Sequence, residues 1–90
     1  MSAWDVLLSK ESLKFLYKNH LGQEVVTDAI KLALRKFSGE DINIDLKKLN
    51  PPYDGYFRIR HGRMRITFKI DFETHTVDVA ETNWRGSSYK

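Results

Sequence analysis

From Trp4 to Leu8 the chain is a short apolar run, and it stops at Ser9, whose hydroxyl is well suited to cap the first turn of a helix. The pattern predicts a strand feeding a helix. From Lys10 to Leu21 the apolar residues Leu13, Leu16, Tyr17 and Leu21 recur at helical spacing, and Gly22 offers a left-handed stop. A second helix is predicted from about Gln23 to Phe37. Val26, Ile30, Ala33 and Phe37 form its stripe, Val25, Ala29 and Leu32 widen it, and Ser38-Gly39 closes it. A stripe that wide must be buried on one face. Between Glu40 and Asn50, Ile42, Ile44, Leu46 and Leu49 are scattered among charges, and Asn50-Pro51-Pro52-Tyr53-Asp54-Gly55 is dense in turn residues. This stretch reads as a connection.

The clearest pattern follows. Phe57-Arg58-Ile59-Arg60, the pair His61-Gly62, and Arg63-Met64-Arg65-Ile66-Thr67-Phe68-Lys69-Ile70 alternate strictly on either side of a turn, which predicts a two-residue β-hairpin. Closed at His61-Gly62, it sets Arg60 opposite Arg63, Ile59 opposite Met64, Arg58 opposite Arg65 and Phe57 opposite Ile66. One face then carries Phe57, Ile59, Met64, Ile66, Phe68 and Ile70, ready for the helices to cover. The other carries Arg58, Arg60, Arg63 and Arg65, with Thr67 and Lys69 beyond. A last strand is predicted from about Thr76 to Glu81 after the polar turn Glu73-Thr74-His75. The expected architecture is one α+β domain over residues 1–90. A short N-terminal strand, two helices and a three-stranded antiparallel meander form one curved sheet, with the helices on one face.

Composition narrows the chemistry. With no Cys, disulfides, thiolate metal sites and cysteine nucleophiles are excluded, and a reducing cytoplasm suits the chain. The apolar run before Ser9 contains Asp5 and is too short for an export signal. No stretch approaches the roughly 20 apolar residues of a membrane span, so no membrane partner is expected. The net charge of +3 conceals an asymmetry: Phe57 to Ile70 holds Arg58, Arg60, Arg63, Arg65 and Lys69 and no acid, leaving ten basic residues against twelve acids elsewhere. Like charges facing one another across strands cost roughly 0.2–1 kcal/mol, so a merely structural surface would mix its signs. Arginine also grips phosphate oxygens with a planar fork and stays charged at any working pH. An RNA backbone is the expected ligand of this face.

These residues resemble the RelE/ParE superfamily of bacterial and archaeal toxins. The resemblance covers most of the chain and rests on Asp45-Leu46-Lys47-Lys48-Leu49, on Tyr56 to Phe68, and on Asn83-Trp84-Arg85 with Tyr89-Lys90. It implies a ribosome-dependent mRNA endonuclease held in check by a cognate antitoxin protein. In the RelE branch two basic residues alternate on the first hairpin strand, an arginine follows on the next, and an arginine and a tyrosine lie near the C-terminus. The matching positions here are Arg58 and Arg60, Arg65, Arg85 and Tyr89. ParE-type relatives share the fold but act on DNA gyrase, often with a depleted basic set. The filled set favours RNA cleavage. A gyrase inhibitor, or an RNA- or ribosome-binding module without cleavage, is the alternative.

RNA is cut without metal or cofactor when its own 2′-hydroxyl attacks the adjacent phosphate and leaves a 2′,3′-cyclic phosphate. The expected roles are charge stabilisation by Arg65 and Arg85, backbone binding by Arg58, Arg60, Arg63 and Lys69, and base stacking or acid catalysis by Tyr89. Arginine cannot serve as the general base. His61, in the predicted turn, is the first candidate by its proton affinity, and Glu81 is the second. His20 and His75 lie elsewhere, and the three histidines lack zinc-ligand spacing. Trp4 is expected in the core, while Trp84 is divided between core and base stacking.

Overall fold

The computed structural model describes residues 4–84. Its elements are β1 (Asp5–Leu8), α1 (Lys10–Lys18), α2 (Glu24–Phe37), β2 (Asp45–Lys48), β3 (Tyr56–His61), β4 (Met64–Asp71) and β5 (Thr76–Trp84). The strands form a single sheet in the order β1-β5-β4-β3-β2. β1 joins β5 in parallel, and the other neighbours are antiparallel. This is the expected α+β architecture with one more strand than the hydrophobic pattern revealed. No helix among the described residues is long and apolar enough to cross a membrane.

Ser9 works as anticipated and does more. Its backbone is extended, its Oγ accepts a hydrogen bond from the Ser12 amide at 3.1 Å, and its hydroxyl donates to the Ala80 carbonyl at 2.6 Å. One side chain thus caps α1 and ties it to β5. Ser9→Ala is expected to cost about 1–2 kcal/mol, the range of a lost cap plus a lost hydrogen bond. The measurement is a shift of the urea midpoint at constant slope. The C-terminus of α1 departs from expectation: the left-handed residue is His20 (φ 57°) and not Gly22. The amide of His20 bonds the Tyr17 carbonyl at 3.2 Å and that of Leu21 bonds the Leu16 carbonyl at 2.8 Å. That pair of reversed bonds is a Schellman stop, which histidine tolerates better than most residues. The helix therefore ends before it reaches the glycine.

The segment read as a connection contains β2, an edge strand of four residues, three of them charged. Asp and Lys are poor strand formers, so this strand exists through its pairing with β3 rather than through propensity. The hairpin turn sits one residue later than predicted, on Gly62-Arg63, with Gly62 at φ 62° in the first loop position, where a primed turn needs a positive φ. Pairing accordingly slides by two residues. Arg60 faces Arg65, Ile59 faces Ile66, Arg58 faces Thr67, and His61 closes β3 opposite Met64. An even slide leaves every paired side chain on its predicted face.

The helices cover the apolar face. Leu16 of α1 and Val26, Ala29, Ile30 and Ala33 of α2 pack against Ile59, Ile66, Phe68, Val77 and Val79, all essentially buried. Trp4 packs partly buried against this core, stacked on His75 at 4.8 Å between ring centroids. β5 breaks its alternation once. Phe68 pairs with Val79 but Thr67 pairs with Glu81, so Ala80 is an inserted residue, a β-bulge. Before the bulge Val77 and Val79 point into the core; after it Thr82 does, donating to the buried Ser12 hydroxyl at 3.1 Å. Glu81 is turned to the opposite face.

Candidate nucleic-acid interface

The pairings arrange the helix-free face in cross-strand rows. One row runs Asp45, Arg60, Arg65, Asn83 across β2, β3, β4 and β5. The next runs Lys47, Arg58, Thr67, Glu81. Neighbouring strands lie about 4.8 Å apart, so the long side chains of both rows share one surface. Arg58, Arg65, Thr67 and Glu81 floor a cleft of about 250 Å³, and Leu49, Asn50 and Tyr53, from the segment after β2, wall it.

The arginines are recessed rather than spread over an open patch. Arg58 and Arg65 are each only 8% exposed, and Leu49 and Tyr53 line the same cleft. The face also carries acids, contrary to the single-sign surface expected from the hairpin alone. Asp45 accepts from Arg58 Nη1 at 3.0 Å and lies 3.5 Å from Arg60 Nη1. One carboxylate therefore holds two guanidiniums. For a cation as buried as Arg58 this partner offsets much of the desolvation cost. With half of the Asp45 side chain exposed, the pair sits in a wet setting where a competing phosphate can replace the carboxylate.

The remaining predicted residues are placed differently. Arg63 lies in the turn, with its guanidinium 6.0 Å from the Trp84 ring centroid. Lys69 shares the arginine face but stands farther along β4, 5.6 Å from the Tyr56 ring. His61 is not in the turn, and strand alternation sets it with Ile59 and Met64 on the face opposite Arg58 and Arg65. It is not among the residues lining the cleft. Trp84 is docked on α1: its indole N–H donates to Asn19 Oδ1 at 3.3 Å and its ring meets Phe15 edge-on at 5.2 Å. Arg85 and Tyr89 lie outside the described residues. Among the described residues no three His, Asp or Glu side chains gather as a metal site.

The interface also includes Asp45, Leu49, Asn50 and Tyr53, to which the sequence pattern assigns no place there. Asp45 and Leu49 belong to a stretch without clear alternation, and Asn50 and Tyr53 to turn chemistry. Nothing local marks them as neighbours of a hairpin that begins several residues later. Thr67, which alternation sets on this face, lines the cleft as well.

Neither a protein-family model nor a curated protein matches the sequence. Solved structures do resemble the fold. A chain of the RelBE2 toxin–antitoxin complex from Mycobacterium tuberculosis aligns with 93% of this chain and 100% of its own length, with a TM-score of 0.61 and 24% identity. YafQ from E. coli aligns with 98% of this chain and 100% of its own, with a TM-score of 0.66 and 12% identity. A chain of the RelB–RelE antitoxin–toxin complex from Methanococcus jannaschii aligns with 92% and 94%, with a TM-score of 0.60 and 23% identity. At such identities the likeness concerns the path of the backbone, and by that measure the chain has the RelE-like fold.

Proposed function

We propose that the chain is the toxin of a toxin–antitoxin pair and an endoribonuclease that cuts mRNA on the ribosome, in the cytoplasm. The observation that carries this reading is the cleft in which Arg58 and Arg65, from adjacent strands, share one floor on a RelE-like sheet. In-line attack by a 2′-hydroxyl builds negative charge on the phosphoryl oxygens, and a desolvated, fixed guanidinium stabilises that charge without reorganising. Arg65 takes this role. Arg58 and Arg60 hold the flanking backbone, exchanging Asp45 for phosphate oxygens. Arg63 and Lys69 extend the positive surface that steers RNA inward. Arg85 and Tyr89 complete the set by their match to the RelE pattern. Arg85 adds charge stabilisation, and Tyr89 a stacking platform or a proton for the leaving oxygen. The reaction needs no metal or cofactor.

The cognate antitoxin is a protein whose acidic or apolar segment covers this face, since an acidic chain competes for the same guanidinium forks. Induced expression followed by primer extension on cellular messages tests the proposal. Cuts that fall in codon register within translated frames are expected. Intact messages accompanied by DNA damage would instead identify a gyrase inhibitor. Growth arrest with neither effect would leave a ribosome-binding module.

A further inference from the structure

We infer that Glu81 is the general base that takes the proton from the attacking 2′-hydroxyl, and that the β-bulge at Ala80 is the device that delivers it to the cleft. This rests on the ribonuclease reading above. Had β5 kept a regular register beyond the Phe68–Val79 pair, Thr67 would have faced Ala80, and Glu81 would have faced Ile66 under the helices. An unpaired carboxylate there would be costly. The extra residue turns Glu81 onto the arginine face, opposite Thr67, where it lines the cleft with Arg58 and Arg65. Bulges re-aim side chains in this way beside functional sites.

The bulge is held from behind by α1. Ser9, the cap of that helix, donates to the carbonyl of Ala80 itself, and Thr82 is bonded to the buried Ser12. Glu81 is thus flanked by an anchored residue on each side, while its own side chain stays exposed to a ligand. The charged groups that the register sets on this face near it are Arg65 and Lys69 diagonally on β4, Arg58 on β3, and Asp78, the partner of Lys69, on β5 itself. Diagonal neighbours on a sheet are roughly 7–8 Å apart, within reach of long side chains bridging through a substrate. Other proton acceptors are poorly placed: His61 lies on the opposite face, and Asp45 is engaged with Arg58 and Arg60. Glu81 is the one carboxylate among the described residues lining the cleft.

In the step assigned to it, the Glu81 carboxylate accepts the 2′-hydroxyl proton as the 2′-oxygen forms its bond to phosphorus. The bond from phosphorus to the 5′-oxygen breaks, and that oxygen takes a proton from solvent. The products are a 2′,3′-cyclic phosphate and a 5′-hydroxyl, and Glu81 returns its proton to water. The test is single-turnover cleavage of an end-labelled message on programmed ribosomes by the full chain, followed from acid to neutral pH. Wild type is expected to slow as pH falls and the carboxylate becomes protonated. Glu81→Gln, an isosteric change at an exposed position, is expected to cleave about a hundredfold or more slowly. It should bind ribosomes as wild type does and lose the fall in rate at low pH, while Glu81→Asp retains that fall at a reduced rate. Glu81→Gln cleaving at the wild-type rate with the wild-type pH profile, while Arg65→Ala is slow, would overturn this assignment and leave the ribonuclease reading standing. Wild-type chain that leaves the message uncut would overturn both.

Discussion

Arg65→Ala is expected to abolish growth inhibition and to slow message cleavage by about 10²–10³-fold, the loss typical of removing one preorganised donor from a developing oxyanion. The expectation follows from where the side chain sits. Arg65 is 8% exposed on the floor of the cleft, in the middle of a sheet row, so its position is set by both neighbouring strands. A guanidinium held this way cannot be replaced by a mobile surface lysine or by salt. Arg65→Lys should therefore recover only part of the activity, since it restores the charge but not the planar fork. Circular dichroism and thermal melting check that the alanine variant is folded, which is expected because the truncation opens onto the cleft and leaves no sealed cavity. A folded Arg65→Ala protein that still kills like wild type would remove the central support of the proposed mechanism.

Phe68→Ala should carry the largest stability loss, about 3–5 kcal/mol, the range found when a buried aromatic side chain is deleted from a packed core. Phe68 is wholly buried, stacks on Phe57 at 5.9 Å between centroids, and pairs with Val79 at the last regular step before the bulge. Domains of this size have about 5–15 kcal/mol in total, so the variant should be near the threshold of folding at growth temperature. Urea unfolding followed by fluorescence measures the loss. Tyr17→Ala, at a position 87% exposed, provides the contrast and should stay within about 0.5 kcal/mol of wild type. A Phe68→Ala protein as stable as Tyr17→Ala would show that the core is not where the packing places it.

The two variants separate the layers of the molecule. Arg65 and Phe68 lie on the same strand with opposite parity, so one faces the cleft and the other the helices. Activity is expected to follow the first and stability the second. The ion pairs at Asp45 belong to both layers, since the carboxylate steadies buried Arg58 and occupies donors that a phosphate would use.

Much of this division is legible in the amino-acid sequence. Alternation from Phe57 to Ile70 assigns the residues to two faces, and the assignments hold for those paired in β3 and β4 although the turn lies at Gly62-Arg63 and the pairing slides by two; Arg63, expected on the arginine face, falls in the turn instead. The cap at Ser9 and the apolar stripe of α2 were equally legible, because capping and helical periodicity depend on residues only a few positions apart. The stop of α1 was misplaced for a related reason. Gly22 is the residue a left-handed stop favours, but His20 reaches that conformation once Leu21 can close onto the helix.

Local periodicity is enough to say which residues are apolar or charged at each phase, and hence to define the two faces of the hairpin and the buried stripes of the helices. Which distant residues join them depends on the assembled sheet. Asp45 meets Arg58 because a charged four-residue segment finds a strand edge, and Glu81 meets the cleft because Ala80 bulges against Ser9, seventy-one positions away. A period of two is a property of the chain's own geometry. A bulge or an edge pairing is stabilised by partners that come near only when the whole sheet has formed.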